Sequence, residues 1–471
     1  MVAGARQNCA VLAQPRWRAG CVAGGMAHVT KSRDKPGRRQ FLAGALAAAG
    51  LAALPRAARA ELAPEPPLAA ASPLQRAVLA AAQARRPFRL PPGVTRTAGL
   101  VLPDGTRLVG APGGSTLRLA GPGPLVSAAH GGRVSLEGVT LDGGGAPLPE
   151  GVGLANFHAI AELSLEGCTL QNTDGIVLRL ERCGGRVRHC ALTGARAGLF
   201  SLDAVGLVID ANTIRRCADN GLQVWRSEQG FDGTRITGCR ISGILAVSGG
   251  TGQFGNGVSV YRAGGVVASG NTISDTAFSA LRNNSGHTVS FVENDCVNCG
   301  ETAIFAEFAF RDTVIRNNRI DGALSGIQMV NFADAGGRGA ICAGNRIAGL
   351  QPPKHSDGKQ WGYGAAIKAE ADALVAGNTI AGAPWMGVMV GWGPSLDNVR
   401  VEGNMIGPAR IGIGVSVAPG AGRASIIGNT ISGAGEAALA AMLWDRIESA
   451  DLAADAGRKW PLVAVAGNRV G

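Results

Sequence analysis

Arg282, Glu307, Lys368 and Glu370 are the side chains of this sequence whose types and spacing best suit chemistry. Each follows an apolar residue by one or three positions in a short alternating segment, and side chains in a strand alternate between its two faces. With Leu222, Val258, Leu281, Ile304, Ile327 and Ile367 taken as inward residues, two outward columns emerge. One reads Gln223, Ser259, Arg282, Phe305, Gln328, Lys368. The other reads Trp225, Tyr261, Asn284, Glu307, Val330, Glu370. Outside this zone the columns turn bland, with Val177 and Phe200 before it and Met389, Gly391 and Gly414 after it. A register slip of one residue would turn all four charges inward, which is prohibitive without partners.

Cations beside carboxylates suit two reactions on a polymeric sugar. In a uronate lyase or epimerase, Lys368 or Arg282 would act as base or offset the substrate carboxylate, with Glu370 or Glu307 as partner. In a hydrolase, two carboxylates flank the bond. Glu307 and Glu370 share a column two repeats apart, about 9.6 Å at the spacing of stacked strands, the upper edge for an inverting pair. Gln223, Trp225, Tyr261, Asn284 and Gln328 would bind substrate, the aromatics as platforms and the amides through hydroxyls. Two insertions, 244–256 and 350–364, bracket this zone, and the second carries Lys354, His355, Lys359, Trp361 and Tyr363. The expected partner is an extended polysaccharide, with a preference for uronate. The same columns also fit a non-catalytic glycan-binding or envelope-structural protein, or an ordinary solvated sheet face.

Other motifs carry less. Cys296 and Cys299 have the spacing of a metal or redox pair, but no second pair follows at zinc spacing. His158, His189, His287 and His355 are scattered and read as surface or turn residues. A periplasmic metal-maturation role needs soft ligands in register, and the chain has six His and seven Met. No cofactor is expected, and nothing singles out calcium.

The elements that position the columns come from a repeat. Gly-Asn-x-Ile recurs with Asn271, Asn345, Asn378, Asn404 and Asn429, and looser copies hold Asn212, Asn294, Asn318 and Asn468. Cys168, Cys190 and Cys239 take the same place in other copies. Successive spacings run from 22 to 25 residues where no insertion intervenes. That length fits three short strands and three turns, one rung of an all-β, single-stranded parallel β-helix. In 258–281 the strands are Val258 to Tyr261, Val266 to Ser269 and Thr272 to Ser274. Asn is expected to take the left-handed bend and to hydrogen-bond along the axis, with Cys interrupting that ladder. Ahead of the rungs, Ser72 and Pro73 open a helix over 73–85, with Gln75 completing a capping box. The resulting division is a signal region over 1–60, a linker over 61–71, a capping helix and first strands over 72–99, and the β-helix over 100–471.

The 72 Gly and 4% aromatic content suit a solenoid of small layers. The net charge of +11 is concentrated at the N-terminus. Ten Lys/Arg and one acid fall within 1–60, so the remainder carries +2, which gives no reason to expect nucleic acid. Arg38-Arg39-Gln40-Phe41-Leu42, an apolar run to Leu54 and Ala58-Arg59-Ala60 form an export signal with a small-residue cleavage site. The run is too short to span a membrane, and Met26 is a credible true start.

The Arg38-Arg39 pair with Phe41-Leu42 resembles twin-arginine signals, with Gly37 and Ala43 where Ser/Thr and Lys are common. Signal, capping helix and Gly-Asn-x-Ile rungs together resemble a family of twin-arginine-translocated repeat proteins within the pectin-lyase-like superfamily, whose activity is unassigned. The resemblance implies a right-handed helix, the twin-arginine machinery as partner, and a periplasmic or secreted destination. Export in the folded state implies cysteines that pack rather than pair. Asn172-Thr173-Asp174-Gly175 matches a motif of pectin-hydrolysing relatives, but their Asp-Asp pair and Gly-His-Gly are missing, so a turn is expected there.

Overall fold

The computed structural model describes residues 72–250, 252–352 and 363–471. The expected signal region over 1–60, the expected linker over 61–71 and the insertion residues Lys354, His355, Lys359 and Trp361 lie outside the described residues. The rest winds into a parallel β-solenoid of about 14 turns. Each strand pairs with its counterpart one turn on: Val258 faces Leu222 and Leu281, Ala268 faces Ile236 and Phe291, and Ile273 faces Ile241 and Cys296. The first-strand stack Leu222, Val258, Leu281, Ile304, Ile327, Ile367 is fully buried. Each such side chain contributes about 1.5–3 kcal/mol by leaving water. No helix among the described residues is long and apolar enough to cross a membrane.

The asparagine ladder is continuous from Asn271 to Asn468. Each Oδ1 accepts from the Nδ2 of the asparagine one rung earlier, at 2.9–3.0 Å. The same oxygen accepts the backbone N–H, as Asn378 does from Asn345 at 2.9 Å. The left-handed bend falls one residue earlier than expected. Gly270, Gly344, Gly377, Gly403 and Gly428 take it at φ 61–68°, and Ala211, Glu293 and Asn317 where no glycine is present. The asparagine is therefore selected for its amide and the glycine for its backbone. Cysteine interrupts only half of the ladder. The Cys239 N–H still donates to Asn271 Oδ1 at 2.9 Å, while Asn212 Nδ2 is left 3.9 Å from its sulfur.

The N-terminal end is closed by a helix, Pro73–Gln83. Ser72 Oγ accepts from the Gln75 N–H at 3.1 Å. The Gln75 side chain does not close a capping box. Its Nε2 donates to the Val101 carbonyl at 2.7 Å and its Oε1 accepts the Val101 N–H at 2.9 Å. The amide thus stands in for a missing strand at the first edge. All eight cysteines of the described residues are buried free thiols. Cys296 and Cys299 both lie in the strand Asp295–Cys299. Burial pushes the Cys239 thiol up to about 11 and the Cys342 thiol up to about 12, while a hydrogen bond with Cys190 holds Cys168 below the ordinary thiol value. All eight lie in the core as packing groups.

Candidate functional site

The two outward columns are in register as the apolar pattern requires. Gln223, Ser259, Arg282, Phe305, Gln328, Lys368, Met389 and Gly414 follow one another rung by rung. Trp225, Tyr261, Asn284 and Glu307 do the same. Glu370 follows the strand Ala365–Ala369. The face is not a bare solvated sheet. Arg282, Glu307, Glu370, Gln223 and Gln328 are each 4–7% exposed although they point away from the core.

Part of the cover over Arg282 and the neighbouring Glu301 comes from the insertions. Residue 252 of the first insertion lies directly over Arg282, where a Cβ would collide with the guanidinium, so the position requires glycine. That loop is tied down by Asn220 Nδ2 donating to the Gln253 carbonyl at 3.1 Å and Asn256 Nδ2 donating to the Gly252 carbonyl at 2.9 Å. From the second insertion, Tyr363 Oη donates to Glu301 Oε1 at 3.0 Å.

Beneath this cover the charges neutralise one another. Arg282 donates Nε to Glu307 Oε1 at 2.7 Å and Nη2 to Glu307 Oε2 at 2.8 Å. Its Nη1 lies 3.5 Å from Glu301 Oε2. Asn284 Nδ2 adds a bond to Glu307 Oε1 at 3.2 Å. Lys368 Nζ is 3.2 Å from Glu370 Oε1, and Glu370 Oε2 accepts the Phe332 N–H at 2.9 Å. Burial alone would weaken the Arg282 proton, but Glu307 and Glu301 hold its affinity above the ordinary value. Arg282 and Lys368 are thus each engaged by a carboxylate, and Glu307 and Glu370 each by a cation. Glu301 differs. Burial pushes its carboxyl up, against the opposing pull of Arg282 and Tyr363. Sequence reasoning missed Glu301, which lies just before the strand Thr302–Glu307 and outside the alternation.

Aromatic groups flank the ion cluster on both sides. Phe200, Trp225 and Tyr261 stand on three successive rungs, with ring centroids 5.5 and 5.4 Å apart. Trp225 Nε1 donates to Ser259 Oγ at 3.4 Å. Beyond Lys368, whose Nζ lies 5.8 Å from the Trp392 ring centre, Trp385, Trp392 and Trp444 form a second group at 6.2 and 5.7 Å. Met386, Met389 and Met442 pack there into a small apolar cluster of their own.

The polar zone also reaches further towards the N-terminus than expected. The residue in register with Phe200 is Arg179, not Val177. Arg179 Nη2 is 2.8 Å from Glu181 Oε2, and His158 Nδ1 is 3.5 Å from Glu181 Oε1. His158 is thus a member of this face rather than a stray turn histidine. Burial pulls its pKa down, against Glu181. Leu178 and Leu180 carried the correct inward register for this rung. Among the described residues no group of three His, Cys, Asp or Glu side chains is placed to hold a metal ion.

Residues 228–406 match the family model for a right-handed β-helix region. The fold is a right-handed parallel β-helix. Solved structures of similar fold include the catalytic unit of a GH87 α-1,3-glucanase from Streptomyces thermodiastaticus, at 16% identity and TM-score 0.44 over 84% of this chain and 65% of that one. PfbA, a surface adhesin of Streptococcus pneumoniae, is 14% identical with TM-score 0.43 over 78% and 87%. The A-module of the mannuronan C-5 epimerase AlgE6 of Azotobacter vinelandii is 13% identical with TM-score 0.35 over 84% and 94%. The chain spans just under two thirds of the glucanase, and these likenesses are of fold alone. No curated protein matches the chain.

Proposed function

We propose that this right-handed β-helix is an exported protein that binds an extended polysaccharide along its first-sheet face. One observation carries the reading: Phe200, Trp225 and Tyr261 form a rung-by-rung aromatic track that runs into a floor of amides and paired charges. A sugar chain laid along the axis would stack on the rings and bond through the half-buried Asn284. Because Arg282 and Lys368 are already neutralised by carboxylates, they hold the floor in shape rather than acting as bases. The twin-arginine pair would deliver the folded protein to the periplasm or beyond.

A catalytic reading is favoured by Glu301. A buried carboxyl raised above its ordinary range beside Tyr363 is a proton donor in kind. A glycan array on the purified mature protein, read together with reducing-end and unsaturated-product assays, separates the two. Retention of a glycan without product supports binding. Product that disappears in Glu301→Gln supports catalysis. Retention of no glycan overturns both.

A further inference from the structure

The cations of the central cluster are satisfied from within, but a second group on the molecule is not. The strand Thr213–Phe231 bulges outward after Trp225: Trp225 faces Tyr261, yet Gly230 already faces Ala263, so three additional residues are looped out. The bulge walls a cleft of about 710 Å³ beside the aromatic track, lined by Arg182, Asp203, Arg226, Glu228, Phe231 and Asp232.

Three features of this cleft point to a ligand. The Phe231 ring lies against Gly233 and Gly265, at which a Cβ would run into it, and yet Phe231 is 72% exposed. One face of the ring is bedded on glycine and the other is open, the form of a stacking platform. Asp232 is 2% exposed; its Oδ1 accepts from Thr234, while Oδ2 has no hydrogen-bond partner. Buried Arg226 Nε likewise has none. Buried polar atoms without partners are rare and call for one. Arg182 also has no ion pair among the described residues, whereas Asp203 is occupied by the Ser227 N–H and hydroxyl at 2.8–3.1 Å.

We propose that this cleft is a subsite for a pyranose carrying a carboxylate. The ring would stack on Phe231, its carboxylate would be held by Arg226 and Arg182, and its hydroxyls would be read by Glu228. The inference rests on the polysaccharide reading and adds to it. The preference for uronate, expected from Arg282 and Lys368, would reside instead in Arg182 and Arg226, because a guanidinium already bound to a carboxylate has little left for another. Arg182 and Arg226 have no carboxylate within ion-pair distance among the described residues, although Asp232 acts on Arg226 from further off.

The test uses the mature protein, with oligogalacturonate and its methyl-esterified form as ligands in calorimetric titrations. Wild-type protein should bind the charged oligomer roughly tenfold or more tightly than the ester. Phe231→Ala should weaken both ligands, without loss of thermal stability because the ring is exposed. Arg226→Met should weaken the charged oligomer alone. Equal wild-type affinity for the two ligands would overturn the inference. So would binding that Trp225→Ala abolishes while Phe231→Ala and Arg226→Met leave it intact, in which case the aromatic track alone stands. Loss through Phe231→Ala with Trp225→Ala silent would uphold this cleft and remove the track. No binding of either ligand overturns the uronate subsite, and the glycan array then decides whether the track binds another sugar.

Discussion

Arg282 and Glu307 stand one rung apart on the outward face and are joined by two parallel hydrogen bonds of 2.7 and 2.8 Å, both side chains being almost wholly buried. An Arg282→Met variant leaves Glu307 and Glu301 without their cation under the covering loops. The expected loss of stability is about 3–5 kcal/mol by denaturant titration. Adding Glu307→Leu should restore part of it, because the unpaired carboxylate is the larger penalty. A single variant as stable as wild type would mean that the cluster is wet and loosely held.

The asparagine ladder makes two predictions of opposite sign. Asn378→Leu removes the side-chain bonds to Asn345, Cys342 and Asn404, and should destabilise by about 3 kcal/mol or more as buried partners lose their bonds. Cys239→Asn places an amide where the ladder is half broken, and should be neutral or stabilising by about 1 kcal/mol. A marked fall in melting temperature for the second variant would show that the site lacks room for the amide.

Gln75→Ala should cost about 1–2 kcal/mol through the freed Val101 groups. It should also promote concentration-dependent association, since the first edge is no longer blocked. Light scattering that shows the same mass for variant and wild type at high concentration would contradict this part.

Glu301 sets a pH dependence. Its folded carboxyl binds a proton more tightly than the unfolded one. The stabilisation is therefore complete below the ordinary carboxylate value and is lost as pH rises through the raised folded value. Glu301→Gln should flatten the fall in melting temperature over that window. Identical slopes for variant and wild type would place the titration elsewhere.

Export is tested by replacing Arg38 and Arg39 with lysines. On the proposed twin-arginine route the pair is a receptor-read address, and a folded precursor of the variant should accumulate in the cytoplasm. Normal export of the variant would remove the twin-arginine assignment.

Much of this was legible because the repeat is written in small local rules. Apolar Leu281, Ile304 and Ile367 fixed the register, and with it the columns that hold Arg282, Glu307 and Lys368. Where two inward choices were open, as at Val177 and Leu178, the sequence pattern was ambiguous and Arg179 with Glu181 was lost from the face. Contacts made across insertions were beyond such rules. Neither Gly252 over Arg282 nor Tyr363 on Glu301 follows from alternation. The charges therefore read as open to solvent, when Arg282 lies under Gly252 and all four are paired. The Phe231 cleft was missed because its signal is a bulge that breaks the period.

The central claim is that a glycan lies along the aromatic track. The most direct measurement is the affinity of the Trp225→Ala, Tyr261→Ala double variant for whichever glycan the wild-type protein retains. Each stacked ring lost should cost on the order of 1 kcal/mol or more, so affinity should fall by roughly tenfold to a hundredfold, with the ion cluster and the melting temperature little changed. Wild-type affinity in that variant would contradict the account.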